Sequence, residues 1–141
     1  MKVFSRSTAV ALSVAFVLGS GVSAAAYAED FHLKLSGAQE VPHVTTNGSA
    51  EGTITSADDG AVSGSVTASG FTPTAAHIHE GVAGKNGPVI VPFTKEGDKF
   101  VAPAGAKLNA QQMAALKAGG LYFNVHSVAH PGGEVRAQLK P

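Results

Sequence analysis

The sequence predicts an all-β domain, a Greek-key sandwich or barrel of about eight strands with one short helix. Three observations carry that expectation. Apolar and polar residues alternate with period two over much of the chain after residue 30. Glycine- and proline-rich turns separate the alternating runs. Only one stretch, after Asn109, is punctuated as a helix.

The first strand is Phe31-His32-Leu33-Lys34-Leu35, strictly alternating. Gly48 to Thr55 reads as the second and ends at the turn Asp58-Asp59-Gly60; Ala61 to Ala68 reads as the third, its hairpin partner. Ala75 to His79 is a short fourth strand. Pro88-Val89-Ile90-Val91-Pro92-Phe93 is a fifth, bracketed by prolines and so expected at a sheet edge. Lys99 to Ala102 adds a sixth. Asn109 is a good N-cap for a helix over Ala110 to Ala118, stopped by Gly119-Gly120. Leu108, Met113 and Leu116 form its apolar stripe, with Met113 as core filler. Leu121 to Ser127 and Glu134 to Leu139 are the last two strands, joined around Pro131-Gly132-Gly133.

Of the six histidines, His77 and His79 are the most informative, because residues i and i+2 of a strand share a face, roughly 6.5–7 Å apart at Cα. Ile78 takes the core side and both histidines point away from it. On the strand Leu121 to Ser127, Leu121, Phe123 and Val125 form the apolar set, so Tyr122, Asn124 and His126 point away from the core. Three such histidines can share a site if their strands are neighbours. Three imidazoles with an open fourth position suit copper or zinc. The chain has no cysteine, which rules out blue-copper and thiolate zinc sites. His130, in the turn four residues after His126, and His43, in a loop after Pro42, are candidate further ligands or else solvated loop residues. His32 alternates with core residues and is expected to be exposed. Arg136 either approaches the open position or pairs with Glu134 or another carboxylate.

The first residues address the compartment. Lys2 and Arg6 precede an uncharged apolar run, Thr8 to Val22, and then Ala26-Tyr27-Ala28 before Glu29-Asp30. That is the three-part layout of a secretory signal peptide. The run is short for a membrane span of about 20 residues. Residues 1–28 are therefore expected to be a signal peptide and 29–141 one domain of 113 residues, periplasmic or secreted, with no membrane insertion after cleavage. Without Lys2 and Arg6, eight basic residues face ten acidic ones, so there is no electrostatic case for nucleic acid.

Taken together, Leu35-Ser36-Gly37-Ala38-Gln39-Glu40-Val41-Pro42, Ala76-His77-Ile78-His79-Glu80-Gly81, Asn86-Gly87-Pro88-Val89, Leu121 to Ser127 and Gly132 to Leu139 resemble the opening, middle and close of the CHRD (chordin-type) domain family. The resemblance spans nearly all of Phe31 to Leu139. It implies an immunoglobulin-like or Greek-key β fold and a small exported protein, and His77, His79 and His126 fall on the family's histidine positions. His43 stands where a second proline is usual. More weakly, a His-x-His strand with a late histidine is similar to the copper site of copper/zinc superoxide dismutases. Here, however, no histidine lies between His79 and His126, and the disulfide is missing.

The leading functional expectation is an exported copper-binding module for binding, buffering or delivery, its partner a metal ion. The alternatives are a dismutase-like copper enzyme and an interaction module without metal. No nucleophile elbow, phosphate loop or paired-carboxylate signature is present, and no catalytic residue is assigned. The exported protein should begin at Glu29, which its intact mass checks; a membrane-bound form retaining Met1 would contradict the cleavage.

Overall fold

The computed structural model describes residues 26–140. The signal-like residues 1–25 lie outside the described part, as does Pro141. Nine antiparallel strands form one sheet: β1 (Ala28–Ser36), β2 (Ser49–Ala57), β3 (Val62–Ser69), β4 (Pro73–Glu80), β5 (Val89–Pro92), β6 (Thr94–Glu96), β7 (Lys99–Val101), β8 (Leu121–Ser127) and β9 (Val135–Leu139). Their order is β5-β4-β8-β9-β1-β2-β3-β7-β6.

The two ends of that sheet are successive pieces of one segment. β5 pairs with β4, Phe93 donates its N–H to the Ala76 carbonyl at 3.0 Å, and β6 then pairs with β7. The segment therefore bridges both edges and nearly closes a barrel, which leaves little unpaired backbone for other chains to recruit. Counted around this ring, β3 to β4 and β7 to β8 each pass over three strands. These crossovers give the Greek-key character. Pro88 and Pro92 fit the edge position expected for β5, since proline cannot donate to a ladder on both sides.

The period-two pattern sets which side chains fill the barrel. Phe31, Leu33 and Leu35 from β1, Ile54, Val66, Ile78, Phe100, and Leu121, Phe123 and Val125 from β8 are all buried in one core, with Val135 and Leu139. Phe93 meets the Phe123 ring edge-on at 4.9 Å between centroids, so the bridging segment is tied to the core at its corner. The helix α1 (Ala110–Lys117) lies where the sequence places it. Asn109 caps it reciprocally: Asn109 Oδ1 accepts from the Gln112 N–H at 2.8 Å, and Gln112 Oε1 accepts from the Asn109 N–H at 2.9 Å. Leu108 and Leu116 are buried, and partly buried Met113 packs against the same core.

Two differences from the sequence reading stand out. β6 was not foreseen, because Thr-Lys-Glu is short, exposed and charged, with no apolar alternation to reveal it. The second difference concerns β8. Its parity is as expected, but the face turned away from the barrel is buried too, so every residue of β8 is covered.

Replacing Phe123 by Ala should cost about 3–5 kcal/mol, the usual range for deleting a fully buried phenylalanine. Chemical denaturation would show it as a lower midpoint with an unchanged slope.

Candidate metal centre

β4 and β8 are hydrogen-bonded neighbours, with Ala75 opposite His126, His77 opposite Asn124 and His79 opposite Tyr122. His77 and His79 therefore meet His126 across one strand boundary. One nitrogen from each of the three rings lies within 4.8 Å of the others. The tightest pair is His77 Nδ1 and His126 Nε2, 2.9 Å apart.

Backbone carbonyls fix two of the tautomers. His79 Nδ1 donates to the Gly87 carbonyl at 2.9 Å, and His126 Nδ1 donates to the Pro131 carbonyl at 2.9 Å. Both rings thus present Nε2 lone pairs to the cluster while a carbonyl holds the other nitrogen, the arrangement usual for metal-binding histidines. His79 Nε2 is buried and has no hydrogen-bond partner. An orphaned, buried acceptor beside two further imidazole nitrogens is what a missing cation would leave. The donor set fits a soft or borderline divalent metal.

The cluster is enclosed because a second, polar layer lies outside the barrel. The segment 81–88 and the loops before β2 and β9 fold over β8 and β9. Arg136 is 1% exposed. It donates to Asn86 Oδ1, the Val82 carbonyl and Gln138 Oε1, and its guanidinium lies 3.5 Å from the centroid of the Tyr122 ring. Tyr122 in turn stacks on His79, centroids 4.7 Å apart and planes 9° from parallel. Asn86 Nδ2 donates to the Val41 carbonyl at 2.6 Å, and Gln138 Nε2 donates to the carbonyls of Gly81 and Gly119. Gly87 runs so close to β4 that a Cβ there would strike the Glu80 carbonyl. Gly133 has φ +132°, and a Cβ there would strike Glu40 Oε1 and Asn124 Nδ2.

Several expectations change. His79 and His126 point away from the barrel interior yet are only 7% and 9% exposed; His77 is half-buried. Arg136 does not pair with Glu134. Glu134 instead accepts from Ser127 Oγ, and from Thr46 Oγ1 at 2.6 Å. His43 and His130 are not members of the cluster. His43 is exposed, and His130 shapes the β8–β9 turn through its backbone, its N–H donating to Ser127 Oγ at 3.0 Å. His32 is exposed, with Nδ1 3.0 Å from Thr53 Oγ1. Sequence reasoning missed Glu40, which is 3% exposed. Nothing in an acidic loop residue announces burial; its only signal was membership of the opening motif.

A Greek-key β-barrel carrying a buried three-histidine cluster is the class that fold and site define. The family model for the CHRD domain matches residues 31–139, and the chain belongs to that family. No match was found among curated proteins or among solved structures. No helix among the described residues is long and apolar enough to cross a membrane.

Burial keeps the cluster neutral. It pushes His77 down to about 4, with the neighbouring His126 and His79 adding to the shift. Burial likewise lowers His79 and His126. In the unfolded chain these rings protonate near 6.5, so the stability their neutral burial supports is present above that pH. It is lost as pH falls from about 6.5 toward 4. Glu40 acts with the opposite sign. Burial outweighs the Arg136 charge and pushes its carboxyl up to about 7. Its contribution is present below its ordinary value and lost as pH rises through about 7. Thermal melts of metal-free protein should therefore fall between pH 6.5 and 4. The fall should be steeper in Glu40→Gln and shallower in His77→Gln. Parallel profiles for all three proteins would contradict the assignment.

Proposed function

We propose that this domain binds one copper ion through His77 Nδ1, His79 Nε2 and His126 Nε2, outside the cytoplasm, to buffer or deliver it. The observation that carries the reading is the convergence of three neutral imidazole nitrogens, with two of the rings locked by carbonyls so that their lone pairs face inward. Copper is preferred to zinc by the usual order of divalent affinities at imidazole sites. Export is supported by the charged start, apolar run and Ala26-Tyr27-Ala28 of the sequence. A bound copper would supply a redox-active Lewis acid; the chain's own part is to hold and shield it.

The metal-free cluster also holds a proton. His126 Nδ1–H is committed to the Pro131 carbonyl, so the 2.9 Å contact requires His77 Nδ1–H to donate to His126 Nε2. Loading through Nδ1 would require that proton to move to Nε2 of the same ring, a change of tautomer that keeps His77 neutral. Arg136 is buried and committed to Tyr122 and three acceptors, which favours binding over dismutation.

Calorimetric titration should find one copper(II) per chain, bound more tightly than zinc(II), with no net proton released at neutral pH because the three rings are already neutral. Stability should rise by about 2.7 kcal/mol at a hundredfold excess over Kd. His77→Ala, His79→Ala and His126→Ala should each remove most of the binding, while His32→Ala, His43→Ala and His130→Ala leave it intact. Equal melting temperatures with and without saturating copper would refute the proposal.

A further inference from the structure

The three histidines leave a fourth donor position to be filled, and neither loop histidine belongs to the cluster. The residue at the centre of the cluster is Asn124. On the shared face of β4 and β8 it lies directly opposite His77, diagonal to His79 and two residues before His126. Directly opposed side chains of an antiparallel pair have Cβ atoms about 4.5–5.5 Å apart, and diagonal ones remain within reach. No other residue of the face has all three histidines as neighbours.

Asn124 is also the wrong residue for an ordinary buried position. It is 2% exposed, and its Oδ1 has no hydrogen-bond partner. The orientation of the amide is set from the other side. Nδ2 faces the Gly132 carbonyl at 3.4 Å, and a Cβ at Gly133 would strike both Nδ2 and Glu40 Oε1, so the nitrogen end of the amide lies toward the turn and the Glu40 carboxyl. Oδ1 is the other end of that amide, on a residue diagonal to His79. His79 donates through Nδ1 to Gly87, which leaves its buried Nε2 a bare acceptor. Two unpartnered acceptors, an imidazole nitrogen and an amide oxygen, thus sit side by side in a closed site. Such a pair is costly unless something positive lies between them.

We infer that Asn124 Oδ1 is the fourth donor of the metal site, completing an N3O set with His77, His79 and His126. The assignment rests on the three-histidine reading and goes beyond it. A neutral carbonyl oxygen is a harder ligand than imidazole, so the set favours copper(II) over copper(I) compared with a site of imidazoles alone. Glu40 then has a role at one remove. Its carboxyl lies at the nitrogen end of the amide, and Gly133 allows both groups their space.

The test is copper(II) titration with EPR on the mature protein and its Asn124→Ala, Asn124→Leu and Asn124→Asp variants. Asn124→Leu keeps the volume and removes the oxygen; Asn124→Asp keeps the shape and adds charge. Loss of the oxygen should weaken copper(II) binding by at least about tenfold, on the scale of ligand-supporting residues, and change the copper hyperfine splitting. Asn124→Asp should bind at least as tightly as wild type. Wild-type affinity and an unchanged spectrum in Asn124→Ala or Asn124→Leu, or weaker binding by Asn124→Asp should neither of those fold, would overturn the assignment while leaving the histidine site standing. Failure of wild type itself to bind copper(II) would instead overturn both.

Discussion

The pairing of β4 with β8 is the interaction on which the site depends. Its register puts His77 across from Asn124 and His126 one step along, so three imidazoles from two strands share one patch without any loop having to carry a ligand. A slip of one residue would turn every one of these side chains into the barrel and every core residue of β8 outward. Leu121, Phe123 and Val125 therefore hold the histidines in place indirectly. Burying that apolar set fixes which way the polar set must face.

The polar set is then enclosed by its own shell. Arg136, Tyr122 and His79 stack in sequence, each from a different strand of the β9-β8-β4 ladder. Most of the shell's hydrogen bonds run to backbone atoms of segment 81–88 and of the loops before β2 and β9. Polar groups so deeply covered must each find a partner. Glu40 Oε1, His79 Nε2 and Asn124 Oδ1 are the ones that do not, and they lie in adjoining parts of one layer. The layer thus combines a rigid, satisfied periphery with an unsatisfied centre, the pattern expected when a ligand completes the network.

Much of this was legible in the sequence because alternation is a strong signal where one face is apolar. Phe31 to Leu35 and Leu121 to Ser127 could be placed, and the histidine parity followed directly. The capping residues of α1 were equally readable. What could not be read was the second layer. Period two separates the barrel side of a strand from the other side, but says nothing about whether a loop covers the other side. Tyr122, Asn124 and Arg136 therefore read as solvent-facing polar residues. The cover comes from contacts distant in sequence, such as Tyr122 with Gly87 at 35 residues and Arg136 with Val82 at 54. The same limit explains Arg136: a neighbouring carboxylate on its own strand was the obvious partner, but Glu134 is claimed by Ser127 and Thr46 instead.

The unequal cover over the three histidines has a kinetic consequence. His79 and His126 are sealed by the shell, whereas His77 retains solvent access and has no carbonyl holding its ring. An ion in this site could be approached from one side only. Hand-over to an acceptor would then follow a fixed sequence, in which the acceptor's first ligand displaces His77 while the two anchored rings still hold the ion. Under the proposed copper-binding role, the rate of such an exchange would depend on how readily one imidazole swings aside, not on how tightly the whole site binds.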